Sequence, residues 1–243
     1  HALFAARALE AGKYIFVEKP LAINKEQLEM VVKAWEKNPG KLMVGFNRRY
    51  APFTLKAKEL LANRTEPLMT LIRVNAGYTT LDHWIFHPTQ GGGRLIGEVC
   101  HFVDLAVHLA CSKVVRYHIE NVRGPGRYHF TDNVAITMKH KDNSLSVILY
   151  TAMGSRKYPR ELVEIYCQQT AICINNFKTM TLKSGTTSKT FRRANSDRGH
   201  SNQLKVFVNR VLCREPLPEP FDDDVHVTLL TIELNNMLIY RKL

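Results

Sequence analysis

The sequence predicts an α/β (α+β) chain: the second half of a doubly wound domain followed by a large mixed β-sheet. Three observations carry this expectation. Strand-like and helical patterns alternate as far as Leu61, the order expected of a parallel sheet. From Leu68 the pattern turns to successive β-prone segments broken by one helix, and helical spacing returns at the end.

Taken in order, residues 2–11 read as helix and 14–17 as a short β-prone run. Residues 25–37 place Leu28, Val31, Val32 and Trp35 at helix spacing. A strand over 42–46 and a helix over 53–61 complete the alternating part. Strands follow at 69–78, 114–122, 133–140, 145–151, 161–167 and 171–175, with a helix over 97–110 between the first two. Leu204, Phe207, Val208, Val211 and Leu212 mark one further helix; Val227, Leu230, Leu234, Met237 and Leu238 mark the last. Asp222, Asp223 and Asp224 suit the positive N-terminal end of that last helix. "EPLPEPF" is a Pro-rich connector between the two. The division falls after residue 48, with 1–48 as the alternating part and 49–243 as the sheet domain with its terminal helices.

With 243 residues, 45% hydrophobic and 23% charged, the composition is that of an ordinary globular chain. The net charge of +12 is scattered in pairs such as Arg48-Arg49, Arg192-Arg193 and Arg241-Lys242. It suits an anionic cofactor or substrate, and no zinc-finger spacing or RNA-binding aromatic run points to nucleic acid. No run of eighteen apolar residues is present, so no membrane span is expected. Five cysteines without a CxxC read as reduced thiols in a cytoplasmic protein. The chain opens on His1 without a Met and is helical at once, so it is expected to be a fragment or a partly ordered chain.

Two stretches carry chemistry. In "VEKPLA", Pro20 biases Lys19 towards an extended conformation, so Lys19 points from a strand end into the following loop. By spacing alone a solvated lysine before a helix is the favoured reading. In "GGGRLIGEVCHFVDLAVHL", three glycines allow close backbone approach to a ligand. The helix behind them has an apolar stripe at Val99, Phe102, Val103, Ala106, Leu109 and Ala110, and His101 falls off it. The positive end of the helix dipole would keep His101 neutral as a base. Glu98, three residues earlier, is placed to orient or protonate it. Asp82, His83 and His87 lie in a loop that lacks the pattern of a metal site. It is read as lining a substrate pocket or as plain surface. Tyr158 is read as a structural Tyr before Pro or as a substrate contact.

"VEKPLA", then "GFNRRYAP", then "GGGRLIGEVCHFVDL" resemble the glucose–fructose oxidoreductase and inositol dehydrogenase (Gfo/Idh/MocA) family. The resemblance covers essentially the whole chain. "DRGHSNQLKVF" and "EPLPEPFDD" are similar to a subgroup joined to an alcohol-dehydrogenase-like domain. It implies a Rossmann domain, here its C-terminal half, followed by an open, mainly antiparallel sheet covered by helices on one face. It also implies NAD or NADP as cofactor and hydride transfer at a secondary hydroxyl of a sugar, nucleotide sugar or cyclitol. Lys19 and His101 match the lysine and general base of that reaction, with Glu98 the nearest acid. His1, Glu18, Lys19 and Pro20 match positions at the cofactor. Asn47 and Arg48 match positions lining the substrate pocket, and His83 and Tyr158 are added as substrate contacts.

Two departures from the family pattern stand out. Gly97 replaces an Asp four residues before the histidine, and Gln168-Gln169-Thr170 replaces a Gly-rich hairpin turn. No GxGxxG occurs, so the chain alone is expected to lack the pyrophosphate site and to be inactive. A module that keeps the fold for binding or assembly without turnover is the second reading. Lys19, Arg48, Glu98 and His101 are expected to converge on one cleft. The open sheet face, with apolar members such as Ile148 and Tyr150 if they lie on it, is expected to form a homodimer.

Overall fold

The computed structural model describes residues 1–122, 126–217 and 221–240. Residues 218–220 of the Pro-rich connector and the Arg241-Lys242 pair lie outside the described residues.

The alternating part is a short α/β unit. Helix α1 (Ala2–Glu10) buries Ala2, Ala5, Ala6 and Leu9, one face at helical spacing. Strand β1 (Ile15–Val17) pairs in parallel with β2 (Leu42–Val44), Phe16 opposite Met43. Helix α2 (Lys25–Lys37) connects them, its first turn capped by the Asn24 side chain accepting from the Gln27 N–H at 2.9 Å. After β2 a 3-10 turn (Asn47–Tyr50) leads into α3 (Pro52–Leu60), where Pro52 lacks only an N–H the helix start would not use.

The second part is an eight-stranded sheet. Its strands are β3 (Met69–Asn75), β4 (Val114–Asn121), β5 (Asn133–His140), β6 (Leu145–Thr151), β7 (Glu161–Cys167), β8 (Thr170–Asn175), β9 (Thr179–Ser184) and β10 (Thr187–Arg192). The order is β10-β9-β8-β7-β3-β6-β5-β4. Only β3 and β6 run parallel, so the sheet is mixed and mainly antiparallel. Helix α4 (Cys100–Ala110) lies against β3 and β6, and the terminal α6 (Phe221–Tyr240) against α4 and β4. Helix α5 (His200–Cys213) buries only Gln203, whose side chain donates to the Val44 carbonyl at 2.8 Å.

Three expectations are corrected. Ile148 and Tyr150 are fully buried on the helix-covered face, and Leu145, Val147 and Leu149 face outward, Leu149 at 44% exposure. Both parities of that strand are largely apolar, so alternation could not say which faces in. Strands β9 and β10 carry few apolar side chains and were not foreseen; they form the sheet's edge hairpin. The helix expected from residue 97 begins instead with a π turn, Leu95–Val99, before α4. At the hairpin between β7 and β8, Gln168 and Gln169 both adopt the left-handed conformation (φ 46° and 57°), so the turn keeps its geometry without glycine. The Gln168 side chain donates to the Thr65 hydroxyl at 2.9 Å and supports it.

Candidate active site

Lys19 leaves the end of β1 just before a cis Lys19-Pro20 peptide bond. Its ammonium donates to the Gly97 carbonyl inside the π turn, tying the α/β unit to the sheet domain. An ammonium has three donors, so two remain for a ligand. Around this contact lies a cleft of about 190 Å³ lined by His1, Lys19, Pro20, Trp84, Gly91 and Gly97, among others. The His1 imidazole Nδ1 sits 2.8 Å from the Pro20 carbonyl. Glu18 is exposed beside Gly45, where a Cβ would come within 2.9 Å of the flexible Glu18 carboxylate and 3.3 Å of its Cα.

The far wall is built by glycines. A Cβ on Gly91 would meet the Ile85 backbone at 2.2 Å, and one on Gly97 would meet the Ile85 side chain at 3.1 Å. The 3-10 turn Trp84–Phe86 therefore rests directly on the backbone ahead of α4 and holds Trp84 at the rim of the cleft. The space beside Gly97 is filled by Ile85, which is 5% exposed.

His101 stands in the first turn of α4, half-buried, with the Phe46 ring edge-on at 6.3 Å. Its pKa is pushed well below 6.5, first by burial and then by Arg48, Lys19, His200 and Arg160. Burial first, and then the surrounding cations, favour the neutral imidazole. Its Nδ1 is buried without a hydrogen-bond partner among the described residues.

Glu98 does not serve His101. Its carboxylate accepts from the Tyr150 hydroxyl and lies 3.8 Å from Arg160 and 3.9 Å from Arg94. The i→i+5 bonding of the π turn alters the angular step that would stack Glu98 under His101 on an α-helix. Glu98 lines a second basin of about 440 Å³ with Asn75, Thr79, Arg94, Arg156, Tyr158 and Arg160. Lys19 and Arg48 lie near enough to His101 to lower its pKa, but neither Arg48 nor His101 lines the Lys19 cleft, and Glu98 lines the second basin.

Asn47 and Arg48 are held from within. Asn47 donates to the Arg198 carbonyl at 2.6 Å and docks the segment ahead of α5. Arg48 is 6% exposed, lies over the Phe102 ring at 4.6 Å and forms two hydrogen bonds to Glu161, at 2.9 and 3.0 Å. Burial alone would raise the Glu161 pKa, but Arg48 and Arg198 bring it below the usual value. Arg48 therefore reaches the site through its charge on His101. His83 is exposed and its Nδ1 accepts from the Ile85 N–H at 3.2 Å, so it caps the Trp84 turn. Tyr158 is 61% exposed in the second basin, with Arg73 over its ring at 4.7 Å. Among the described residues no group of three His, Cys, Asp or Glu is placed to hold a metal, and no helix is long and apolar enough to cross a membrane.

Trp84, Arg156 and Arg160 carry no signal of their own in the sequence; they lie in the stretches "TTLDHWIFHP" and "GSRKYPRE", read there for His83 and for Tyr158.

Fold and cleft together define a two-part α/β protein in which a parallel βα unit meets an open sheet at a small groove. Residues 1–46 match the family model described as "Oxidoreductase family, NAD-binding Rossmann fold". An uncharacterized oxidoreductase of Bacillus subtilis, YrbE, is 24% identical over 76% of this chain and 55% of its own length. An inositol 2-dehydrogenase/D-chiro-inositol 3-dehydrogenase of Halalkalibacterium halodurans is 39% identical over 34% of this chain and 25% of its own. This chain therefore spans about half or less of these relatives. A levoglucosan dehydrogenase solved with NADH superposes with a TM-score of 0.81 over 99% of this chain and 75% of that one, at 18% identity, and so shares the fold. Residues 1–46 are thus similar to the Gfo/Idh/MocA oxidoreductase family, and the chain as a whole shares the fold of the levoglucosan dehydrogenase.

Proposed function

We propose that this chain carries the reacting centre of an NAD(P)-dependent oxidoreductase acting on a secondary hydroxyl of a sugar, nucleotide sugar or cyclitol. One observation carries the reading. Lys19, from the family's cofactor-binding part, is hydrogen-bonded to the turn that opens the helix of His101. The cleft at that junction is smaller than the roughly 300–1,000 Å³ of a whole-ligand pocket, so it suits one ring of a larger ligand. His1, Glu18, Lys19 and Pro20 would hold the nicotinamide end. The cofactor, when bound, supplies the hydride acceptor. In this reading the neutral His101 takes the proton of the substrate hydroxyl, and the Lys19 ammonium stabilises negative charge developing on that oxygen. Arg48 acts through its field, keeping the imidazole unprotonated.

The test is nicotinamide reduction by the protein that carries this chain, with cofactor titrated separately. His101→Ala is expected to lower turnover by about 10²–10⁴-fold while cofactor affinity stays near normal. Lys19→Ala is expected to weaken both. Near-normal turnover in His101→Ala would remove the acid–base assignment.

We further infer that the outer face of the sheet meets a second copy of the chain. In register, Met69 lies beside Leu145 and Leu71 beside Val147, and Leu149 and Leu162 flank Arg73. Met69 and Leu149 are 49% and 44% exposed on this face. Glu164 lies beside Leu71 and Lys139 beside Leu145, so the apolar side chains are interspersed with charge. An exposed, partly apolar face of this kind fits a partner, and a self-complementary patch gives a two-fold dimer.

A further inference from the structure

We propose that the second basin is a subsite for an oxyanion group, carboxylate or phosphate, carried by the substrate, with Arg156 and Arg160 as its ligands. The inference rests on the oxidoreductase reading above and narrows its substrate to an anionic carbohydrate.

The basin adjoins the reacting centre through a single backbone step. Gly97 lines the Lys19 cleft, and the next residue, Glu98, lines the basin. Its charges do not balance. Arg48, Arg94, Arg160 and Arg198 share three carboxylates: Asp132, 3.1 Å from Arg94; Glu161, bound to Arg48 and Arg198; and Glu98. Arg160 is half exposed, and its approaches to Glu98 and Glu161, at 3.8 and 3.9 Å, exceed hydrogen-bond length. Arg156 has no carboxylate within ion-pair distance among the described residues; it donates to the Tyr78 carbonyl at 2.9 Å.

The placement of Arg156 is built. Gly77 adopts φ +79°, and a Cβ there would come within 3.2 Å of the Arg156 side chain, so the arginine stem lies across bare backbone. Glu98 is engaged by the Tyr150 hydroxyl, which also accepts from Arg94 at 3.0 Å. That network neutralises the basin floor and leaves the two rim arginines for a ligand. A guanidinium presents a planar fork that matches a carboxylate or a phosphate with two parallel hydrogen bonds. The same surplus of positive charge reaches the reacting centre, where Arg160 is among the cations that disfavour protonation of His101. A sugar whose hydroxyl lies by His101 and Lys19 and whose anionic group lies in the basin would join the two.

Binding to the full chain, measured by calorimetry without nicotinamide, tests this. The probes are D-glucuronate, glucose 1-phosphate, neutral D-glucose and inorganic phosphate. At least one charged sugar is expected to bind about tenfold or more tighter than glucose and than inorganic phosphate, with affinity falling as salt rises. Preference for glucuronate or for glucose 1-phosphate identifies the group as carboxylate or phosphate. The Arg156→Ala/Arg160→Ala variant should lose that preference and the exposed Arg116→Ala should keep it, far-UV circular dichroism confirming that each is folded. Equal binding of neutral and charged sugars, no sugar binding, inorganic phosphate binding as tightly as the sugars, or an unchanged double variant would each overturn the proposal. Charged-sugar binding without nicotinamide reduction by the protein that carries this chain would leave this subsite standing and remove the hydride reading. Turnover of neutral sugars without charged-sugar preference would remove the subsite alone.

Discussion

His101 shows how one residue's surroundings outweigh its local sequence. Its place at a helix start suggested that the dipole would keep it neutral. The structure reaches the same charge state chiefly by burial, helped by Arg48 from the turn after β2 and Lys19 from the end of β1. Neither contribution is visible in the residues flanking 101. His108, on the same helix, is pushed down to about 3, first by burial and then by Lys58 and Arg49. For both, the folded pKa lies below the unfolded value of 6.5, so between those values unfolding takes up a proton. Their stabilisation is present above pH 6.5 and is lost as pH falls towards the folded pKa. From pH 7 to 5.5 the change at His108 is expected to cost about 1 kcal/mol, with His101 adding to the loss in the same direction. Urea denaturation at the two values should show this fall, and His101→Gln with His108→Gln should reduce it. Stability that holds constant or rises towards pH 5.5 would refute the assignment.

Between residues and the whole molecule lies the junction of the Trp84–Phe86 turn with the start of α4. The three glycines at 91–93 were read as permissive backbone, and two of them are: Gly92 and Gly93 have φ 68° and 91°. Gly91 is needed for a different reason, the absence of a side chain where the Ile85 backbone crosses at 2.2 Å. A pattern of glycines does not distinguish these roles, because the crossing partner comes from another segment. Gly91→Ala is therefore expected to destabilise the protein by about 1–3 kcal/mol through overpacking against backbone that cannot yield, and to displace Trp84 from the cleft. Denaturant unfolding and Trp fluorescence read the two effects. Gly126→Ala has open space around it and only its positive φ to resist, so it should leave Trp84 in place. An undisturbed Gly91→Ala protein would mean that the turn does not rest on that backbone.

At the scale of the whole molecule the sheet has one covered and one open face. If the open face pairs with a second copy, Leu149→Lys at its centre places a charge in an apolar contact and should yield a monomer. Light scattering at high protein concentration would show a dimer for the original chain and half that mass for the variant. A monomeric original chain would remove the inference.

The sequence by itself determined the α/β class, the alternating start, the run of strands and the extents of α2, β5, β6 and β7, because hydrophobic period and local propensity act within a few residues. It also singled out Lys19 and His101, since motifs at strand ends and helix starts are local in the same sense. Tertiary structure alone decided that Ile148 and Tyr150 face inward, that Glu98 turns to Tyr150 and away from His101, and that Arg48 is spent on Glu161. Each depends on a partner at least 52 residues away or on which side of the sheet the helices settle. Charge pairing and burial between distant segments are set by packing of the assembled chain, and no window of sequence contains both partners.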